Sequence, residues 1–388
     1  MQRKIPWVTL AIAAIASTFW IVIGSMVVSH AQTHDFLATY TAGRMARQGD
    51  LSRLYDLDFQ RLLQKQLLPD APAWAPIIRP PLFAVLVAPF TLLPLVPAYW
   101  IWLGSQILAL LGCWAWAARK FGSDALVYCA FFMPAAVGLA HGEDNVWMLV
   151  LVVLAYTLAE RELDFAAGAV LAVGLVKFHL LLLFPLVLLF EKRWRMLVAF
   201  SLTGLLEAIA SFALIGASGF RQYYNLLSRS DLQALAEGRW AMLDVQALAL
   251  NAGLNSGWWA APLILMVVAL VLTACWRAPL WCWFSAAATG SLLISPHVYK
   301  YDATLLLLPV LLAIFYSGSK FTRIAAATAV IPIPYLLTVA GPPIAAIPAL
   351  TLLTFLAALS YESYRARETS GSTCKAVWSA VRCTTTPV

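Results

Sequence analysis

The side chains best suited to chemistry are His34 and Asp35, Arg79, His141 with Glu143-Asp144-Asn145, Lys177 with His179, and His297 with Lys300 and Asp302. A carboxylate such as Asp35 can serve as a general base that takes the proton of a hydroxyl nucleophile. Lysine is a compact cation for phosphate and histidine donates to the same oxygens, so Lys177 with His179 and His297 with Lys300 suit a phosphate or diphosphate. Each residue also has an ordinary structural role open to it. Asp35 can cap a helix beginning at Phe36, Asp302 can cap the segment it opens, and Glu143-Asp144-Asn145 can cap a helix from Val146, because side-chain oxygens there accept free backbone N–H groups. His297 can cap after Ser295-Pro296. One such residue would say little, but distant segments that all deliver them to one face say more. No cysteine, histidine and carboxylate group has metal-ligand spacing, so neither a metal nor another cofactor is expected.

What must position these residues is a membrane bundle. The chain of 388 residues is 62% hydrophobic and 12% charged, against roughly 45–50% and about 25% in soluble domains. The apolar residues fall in blocks of about 15–25, the length of a helix that spans a hydrocarbon core of about 30 Å. A soluble two-domain protein is excluded. The net charge of +7 is carried by lysines and arginines at the ends of these blocks, which is a membrane-topology signal rather than a nucleic-acid surface. The six cysteines form no disulfide framework, four of them lying in apolar blocks.

Spans are expected near 7–29, 98–118, 124–140, 145–159, 195–216, 258–275, 279–296, 302–316, 322–340 and 343–360. With the irregular segments 82–97 and 165–190 this gives an all-α polytopic bundle of about ten to twelve crossings. The run after Arg3 and Lys4 is longer than a secretory signal core and reads as a retained first helix. With a cytoplasmic N-terminus, the inner connections hold Arg119-Lys120, Arg161, Lys192-Arg193-Arg195, Arg277, Lys320 and Arg323, while the short outer ones hold only Lys300. A single polytopic domain over 1–360 and a polar, poorly ordered cytoplasmic tail over 361–388 follow. The candidate residues above then share the outer face of a cell (inner) membrane.

Segment 165–190 begins and ends inside, yet half-helices of about 13 residues reach only ~20 Å. They should meet near Lys177-Phe178-His179, at or below the outer boundary, where non-helical backbone is tolerated only against a cavity and a lysine marks function. The alternative is one tilted hairpin with Lys177 snorkelling outward. Pro80, Pro81, Pro89, Pro94 and Pro97 make 82–97 a bent or re-entrant approach to the next span. Trp100-Trp102 and Trp114-Trp116 read as interfacial anchors. The outer loops 30–81 and 217–257, one with a helix from Phe36 to about Gln48 before a turn at Gly49-Asp50, read as interfacial helices lying on the outer leaflet.

The order of these features resembles glycosyltransferase family 87. It is carried by His34-Asp35-Phe36, Gly49-Asp50 with Leu54-Tyr55-Asp56, Pro80-Pro81, Gly142-Glu143-Asp144-Asn145, Gly168, Gly174 and Lys177-Phe178-His179, Arg193-Trp194-Arg195, Ser295-Pro296-His297 and Tyr301-Asp302. The resemblance covers about residues 1–360. It implies the C-type glycosyltransferase fold and inverting transfer of a sugar from a polyprenyl phosphate, commonly mannose and in some members arabinofuranose, to a glycan or glycolipid acceptor. It assigns the base to Asp35 and the lipid phosphate to Lys177, His179 and His297, with Lys300 beside them. His34, Arg79, Glu143, Asp144, Asn145, Tyr301 and Asp302 would line the substrate site. Glu143 stands where the family usually has glutamine, and Arg79 where it often has an aromatic; two outcomes are open to this pair, an ion pair with one another or a retuned acceptor site. A transporter or flippase of a lipid-linked or anionic solute is the non-enzymatic rival, although no internal repeat accompanies it. An outer-face phosphoryl or acyl transferase, or a ligase using a diphosphate donor, is a third reading.

Overall fold

The computed structural model describes residues 15–16, 18–20, 22–25, 35–69, 74–228, 238–254 and 257–382, without the side chains of 257 and 366–382. The described residues form helices and connections, with no strand among them. Backbone buried away from water must bond within its own segment, which only the helix allows for an isolated apolar run. Residues 22–25 are helical, and Trp20 Nε1 donates to the Ala130 carbonyl at 3.0 Å, which docks this first segment on the bundle. His34 lies outside the described residues.

Helix α1 (Asp35–Gln48) is not an interfacial helix. Phe36, Leu37, Tyr40 and Met45 are all buried, and the helix packs against α3 (Pro81–Val87) and the 3-10 turn Ala88–Leu92. Between them lies α2 (Leu57–Leu67), capped by Asp56, whose side chain accepts from Phe59 N. The proline-rich approach ends at Pro94, and α4 (Leu95–Phe121) then runs uninterrupted with Arg119 and Lys120 in its last turn. Trp102 is buried in α4 rather than anchored at an interface.

The apolar run expected as one span over 124–140 is two helices, α5 (Ala125–Ala130) and α6 (Met133–His141), broken at Phe131-Phe132 just ahead of Pro134. Next come α7 (Asn145–Glu160) and a hairpin of α8 (Asp164–Val173), a 3-10 tip (Gly174–Leu180) and α9 (Phe184–Phe190). The 3-10 tip is broken at Lys177 (φ −122°, ψ 56°), where the sequence places the meeting of two half-helices.

Helix α10 (Trp194–Leu227) passes the expected end of its span and continues beyond a break at Gly216 (φ 65°). Its last turns carry Tyr223, which stacks on Tyr55 at 4.4 Å, so the second loop begins as a bundle extension. A short α11 (Val245–Asn251) capped by Asp244 precedes α12 (Ala260–Cys275), α13 (Leu280–Ile294) and α14 (Leu307–Tyr316). Helix α13 is buried without interruption from Cys282 to Leu293 and forms the centre of the bundle, with Phe284 against Tyr156 and Phe184. After α15 (Lys320–Val330) and α16 (Pro332–Leu336), α17 starts at Ile347 and runs to Arg382, through residues expected to form a poorly ordered tail. That stretch holds alanine, arginine and glutamate, all good helix formers, and Glu362 ties the helix to Ser317 and to the Gly318 amide.

Among the described residues three helices are long and apolar enough to cross a membrane: Leu95–Phe121, Trp194–Leu227 and Ile344–Arg365. The pair Lys320–Val330 and Pro332–Ala340, bent by 46°, makes a fourth if taken together. Several other apolar helices, including Asn145–Glu160 and Leu280–Ile294, are shorter. Among the described residues, long helices alone therefore do not supply the expected ten or more crossings, since proline and broken turns cut several of the apolar runs.

Candidate active site

One end of the bundle collects the start of α1, the loop after α6, the tip of the 165–190 hairpin and the loop after α13. Glycine begins the arrangement. Gly142 closes α6 with a left-handed backbone (φ 72°), a conformation that costs little only without a Cβ, and a Cβ there would lie 2.9 Å from that of Phe36. Trp102 Nε1 donates to the Gly142 carbonyl at 2.9 Å and packs on Phe36, with ring centroids 6.0 Å apart. Helix α4 thus holds both the 142–145 loop and the first turn of α1, which brings Asp35 to Glu143.

The polar groups then interlock. Arg79 Nη2 donates to Glu143 Oε2 at 2.9 Å and to Asp144 Oδ1 at 2.8 Å. Lys177 Nζ lies 2.7 Å from Glu143 Oε2, 2.8 Å from Asp144 Oδ1, 2.5 Å from Asn145 Oδ1 and 3.3 Å from Asp302 Oδ1. Asp302 Oδ2 also accepts the Tyr299 amide at 2.9 Å, which fixes the loop after α13. The capping alternatives thereby fall away for two of these residues. Asp144 sits at the N-cap of α7 without making a cap bond, and Asp302 is the first residue of the 3-10 helix Asp302–Leu306 rather than its cap, its side chain turning back to the Tyr299 amide.

Lys177 is 2% exposed and its ammonium is surrounded by acidic and amide oxygens, with the Tyr301 ring 5.9 Å away. It does not snorkel outward, and it can reach a phosphate only by exchanging one of these partners. His179 and His297 face one another with ring centroids 6.3 Å apart. His297 lies against Tyr299 at 5.0 Å, Tyr299 against Tyr301 at 5.5 Å, and Tyr301 against His141 at 5.7 Å. Lys300 is half-buried on the same loop and makes no ion pair among the described residues. Tyr299 and Trp102 belong to the site, although Tyr299 did not stand out in the sequence and Trp102 read there as an interfacial anchor. The alternation His297-Val298-Tyr299-Lys300-Tyr301 around a fully buried Val298 is the signal for Tyr299.

Burial and the neighbouring Glu143, which accepts a hydrogen bond from it, push the Asp35 carboxyl well above the usual carboxylate range. Burial acts the same way on Glu143, but the charges of Lys177 and Arg79 outweigh it and hold Glu143 ionised, far below its ordinary value. Of the two carboxyls, Asp35 therefore holds a proton the more tightly. Burial pushes His297 down to about 4, so its ring is neutral at neutral pH. Two buried donors, Arg79 Nη1 and Asn145 Nδ2, have no hydrogen-bond acceptor in the structure. Leaving a buried donor unmatched costs about 1–3 kcal/mol, which a ligand oxygen would recover. Among the described residues no group of histidine, cysteine and carboxylate side chains is arranged to hold a metal ion.

The sequence profile of glycosyltransferase family 87 matches residues 78–296, over half of the chain. The chain belongs to glycosyltransferase family 87. It is accordingly a membrane glycosyltransferase that uses a sugar donor and an acceptor, and the transporter reading is left without support. The family 87 match takes in Arg79, Glu143, Asp144, Asn145, Lys177 and His179; Asp35, His297, Tyr301 and Asp302 lie outside it. No curated protein and no solved structure matches.

Proposed function

We propose that this family 87 enzyme transfers a sugar, mannose in the first instance, from a polyprenyl phosphate to a hydroxyl of a glycan or glycolipid acceptor. The reaction takes place on the non-cytoplasmic face of the cell membrane, with both termini inside and the shorter apolar helices completing the crossings. The observation that carries this reading is an apolar cleft of about 210 Å³ between α3, the hairpin tip and α10. It is lined by Pro80, Pro81, Val176, Phe178 and Phe212, so its walls are the chain neighbours of Arg79, Lys177 and His179. An isoprenoid chain suits such a track because its burial is driven by apolar area alone. Its phosphate would then arrive where His179, His297, Lys300 and the free Arg79 Nη1 offer donors.

Transfer is a single displacement. The acceptor hydroxyl oxygen bonds to the anomeric carbon as the bond from that carbon to the phosphate oxygen breaks, which inverts the configuration. The hydroxyl proton passes to Asp35, and the lipid phosphate leaves with the bonding electron pair. Donors fixed around the leaving oxygens stabilise the charge as it develops. Lys177 and the Nη2 of Arg79 act one step back, holding Glu143 and Asp144 in place, while the loop aromatics lie on the substrate side. Asp35 must lose its resident proton before it can accept another, so the base works at a pH above its raised pKa. Purified protein incubated with a panel of polyprenyl-phosphate sugars and short glycan acceptors, with mass spectrometry of the products, tests the donor class. A glycosylated product from a polyprenyl monophosphate sugar is expected; products from nucleotide or diphosphate donors only would refute it.

A further inference from the structure

The motif Arg193-Trp194-Arg195 plays no part in the site above, yet it borders a cavity of about 940 Å³. The cavity is built by the same elements as the active site, at their other ends. Helix α7 carries Asn145 at one end and Glu160 at the other, about 22 Å apart at ~1.5 Å per residue. The hairpin has Lys177 at its tip and Lys192 at its base, and α13 runs from Trp281 in the cavity towards His297.

Its charges are mixed and partly paired. Arg193 binds both oxygens of Asp164 at 3.1 and 3.2 Å, and Lys120 pairs with Glu160. Lys192, Arg195 and Glu162 also line the cavity, and none of the three has an ion-pair partner among the described residues. Lys192 and Glu162 both hold left-handed backbone (φ 55° and 61°), positions that glycine would fill more easily. Trp281 and Tyr156 form aromatic walls, the exposed Trp194 also lines the cavity, and the exposed apolar side chains of Leu163 and Phe165 are chain neighbours of its Glu162 and Asp164.

Two free cations, one free carboxylate, aromatic walls and an apolar rim match a ligand with a phosphate, an ammonium and acyl chains. Lysine and arginine suit the phosphate, and the carboxylate with the aromatic faces suits the ammonium. Tryptophan at the rim is typical of the membrane interface. We propose that this cavity is a second binding site, for a phospholipid headgroup that joins a phosphodiester to an ammonium, on the face opposite the carboxylate cluster.

Native mass spectrometry of the purified protein in detergent tests it. The probes are phosphatidylethanolamine, phosphatidylglycerol and soluble glycerophosphoethanolamine. The wild type should retain phosphatidylethanolamine over phosphatidylglycerol. The double variant Lys192→Ala, Arg195→Ala should hold it at least about tenfold more weakly, and Glu162→Gln should erase the preference between the two lipids. Competition by the soluble compound would show that the headgroup alone is read; its failure to compete would show that the acyl chains are needed. Both variants replace exposed side chains, and an unchanged thermal midpoint separates lost binding from lost folding. Equal retention by wild type and double variant, or phosphatidylglycerol held as well as phosphatidylethanolamine, would overturn the proposal.

Discussion

Asp35 and Glu143 are a pair in which burial, and after it the charge of Glu143, raises the proton affinity of Asp35, while Lys177 and Arg79 hold Glu143 ionised. Because a base must be ionised, transfer should rise with pH through the raised pKa of Asp35 and fall away below it. Glu143→Gln removes the charge that raises Asp35 and leaves Lys177 and Arg79 to lower it. That variant should keep transfer activity while the acid limb of its pH profile moves to lower pH; a limb that stays in place or moves upward would show that Glu143 does not set the base. Lys177 has a different weight. It is buried among the carboxylates of Glu143, Asp144 and Asp302, and removing one partner of such a group costs about 3–5 kcal/mol. Lys177→Met should therefore lower the thermal unfolding midpoint as well as activity, whereas loss of activity at an unchanged midpoint would make Lys177 a ligand-binding cation only. The sequence makes these residues candidates by type and gathers them by topology. It could not show that the ammonium of Lys177 faces acids, because that depends on which loops meet, nor that Arg79 pairs with Glu143, which it left as one of two options.

The hairpin of α8, its tip and α9 was legible because of arithmetic: a segment too short for two crossings must break, and the break lies at Lys177. The approach through Pro80 and Pro81 was legible for a related reason, since proline marks where helices start and stop. The burial of α1 was not. Its composition is that of an interfacial helix, and only the packing of Phe36 on Tyr99 and Trp102 places it inside. Trp102 was misread for the same reason, since a tryptophan near a helix end reads as an anchor until a partner such as the Gly142 carbonyl is seen. The hairpin rests on close contact between α8 and α10, where a Cβ on Gly168 would lie 2.1 Å from the Met196 carbonyl oxygen. Gly168→Ala must push backbone apart and should cost on the order of 1–3 kcal/mol, read as a lowered thermal midpoint. An unchanged midpoint would mean that the two helices are looser than this.

For the whole molecule, the apolar blocks and the distribution of lysine and arginine define a membrane protein with its polar cluster gathered at one end. Sidedness is a testable consequence of that distribution. In intact cells or right-side-out vesicles, a cysteine placed by Lys300→Cys should react with an impermeant thiol reagent from outside, and Cys374 only after the membrane is opened. The reverse pattern would invert the topology. The central claim is that Asp35 accepts the proton of the acceptor hydroxyl in this cluster, and one rate comparison tests it most directly. With a saturating polyprenyl-phosphate sugar, the turnover of Asp35→Asn should fall by about 10²–10⁴-fold relative to wild type, with donor binding retained. Turnover within a few-fold of wild type would contradict the account.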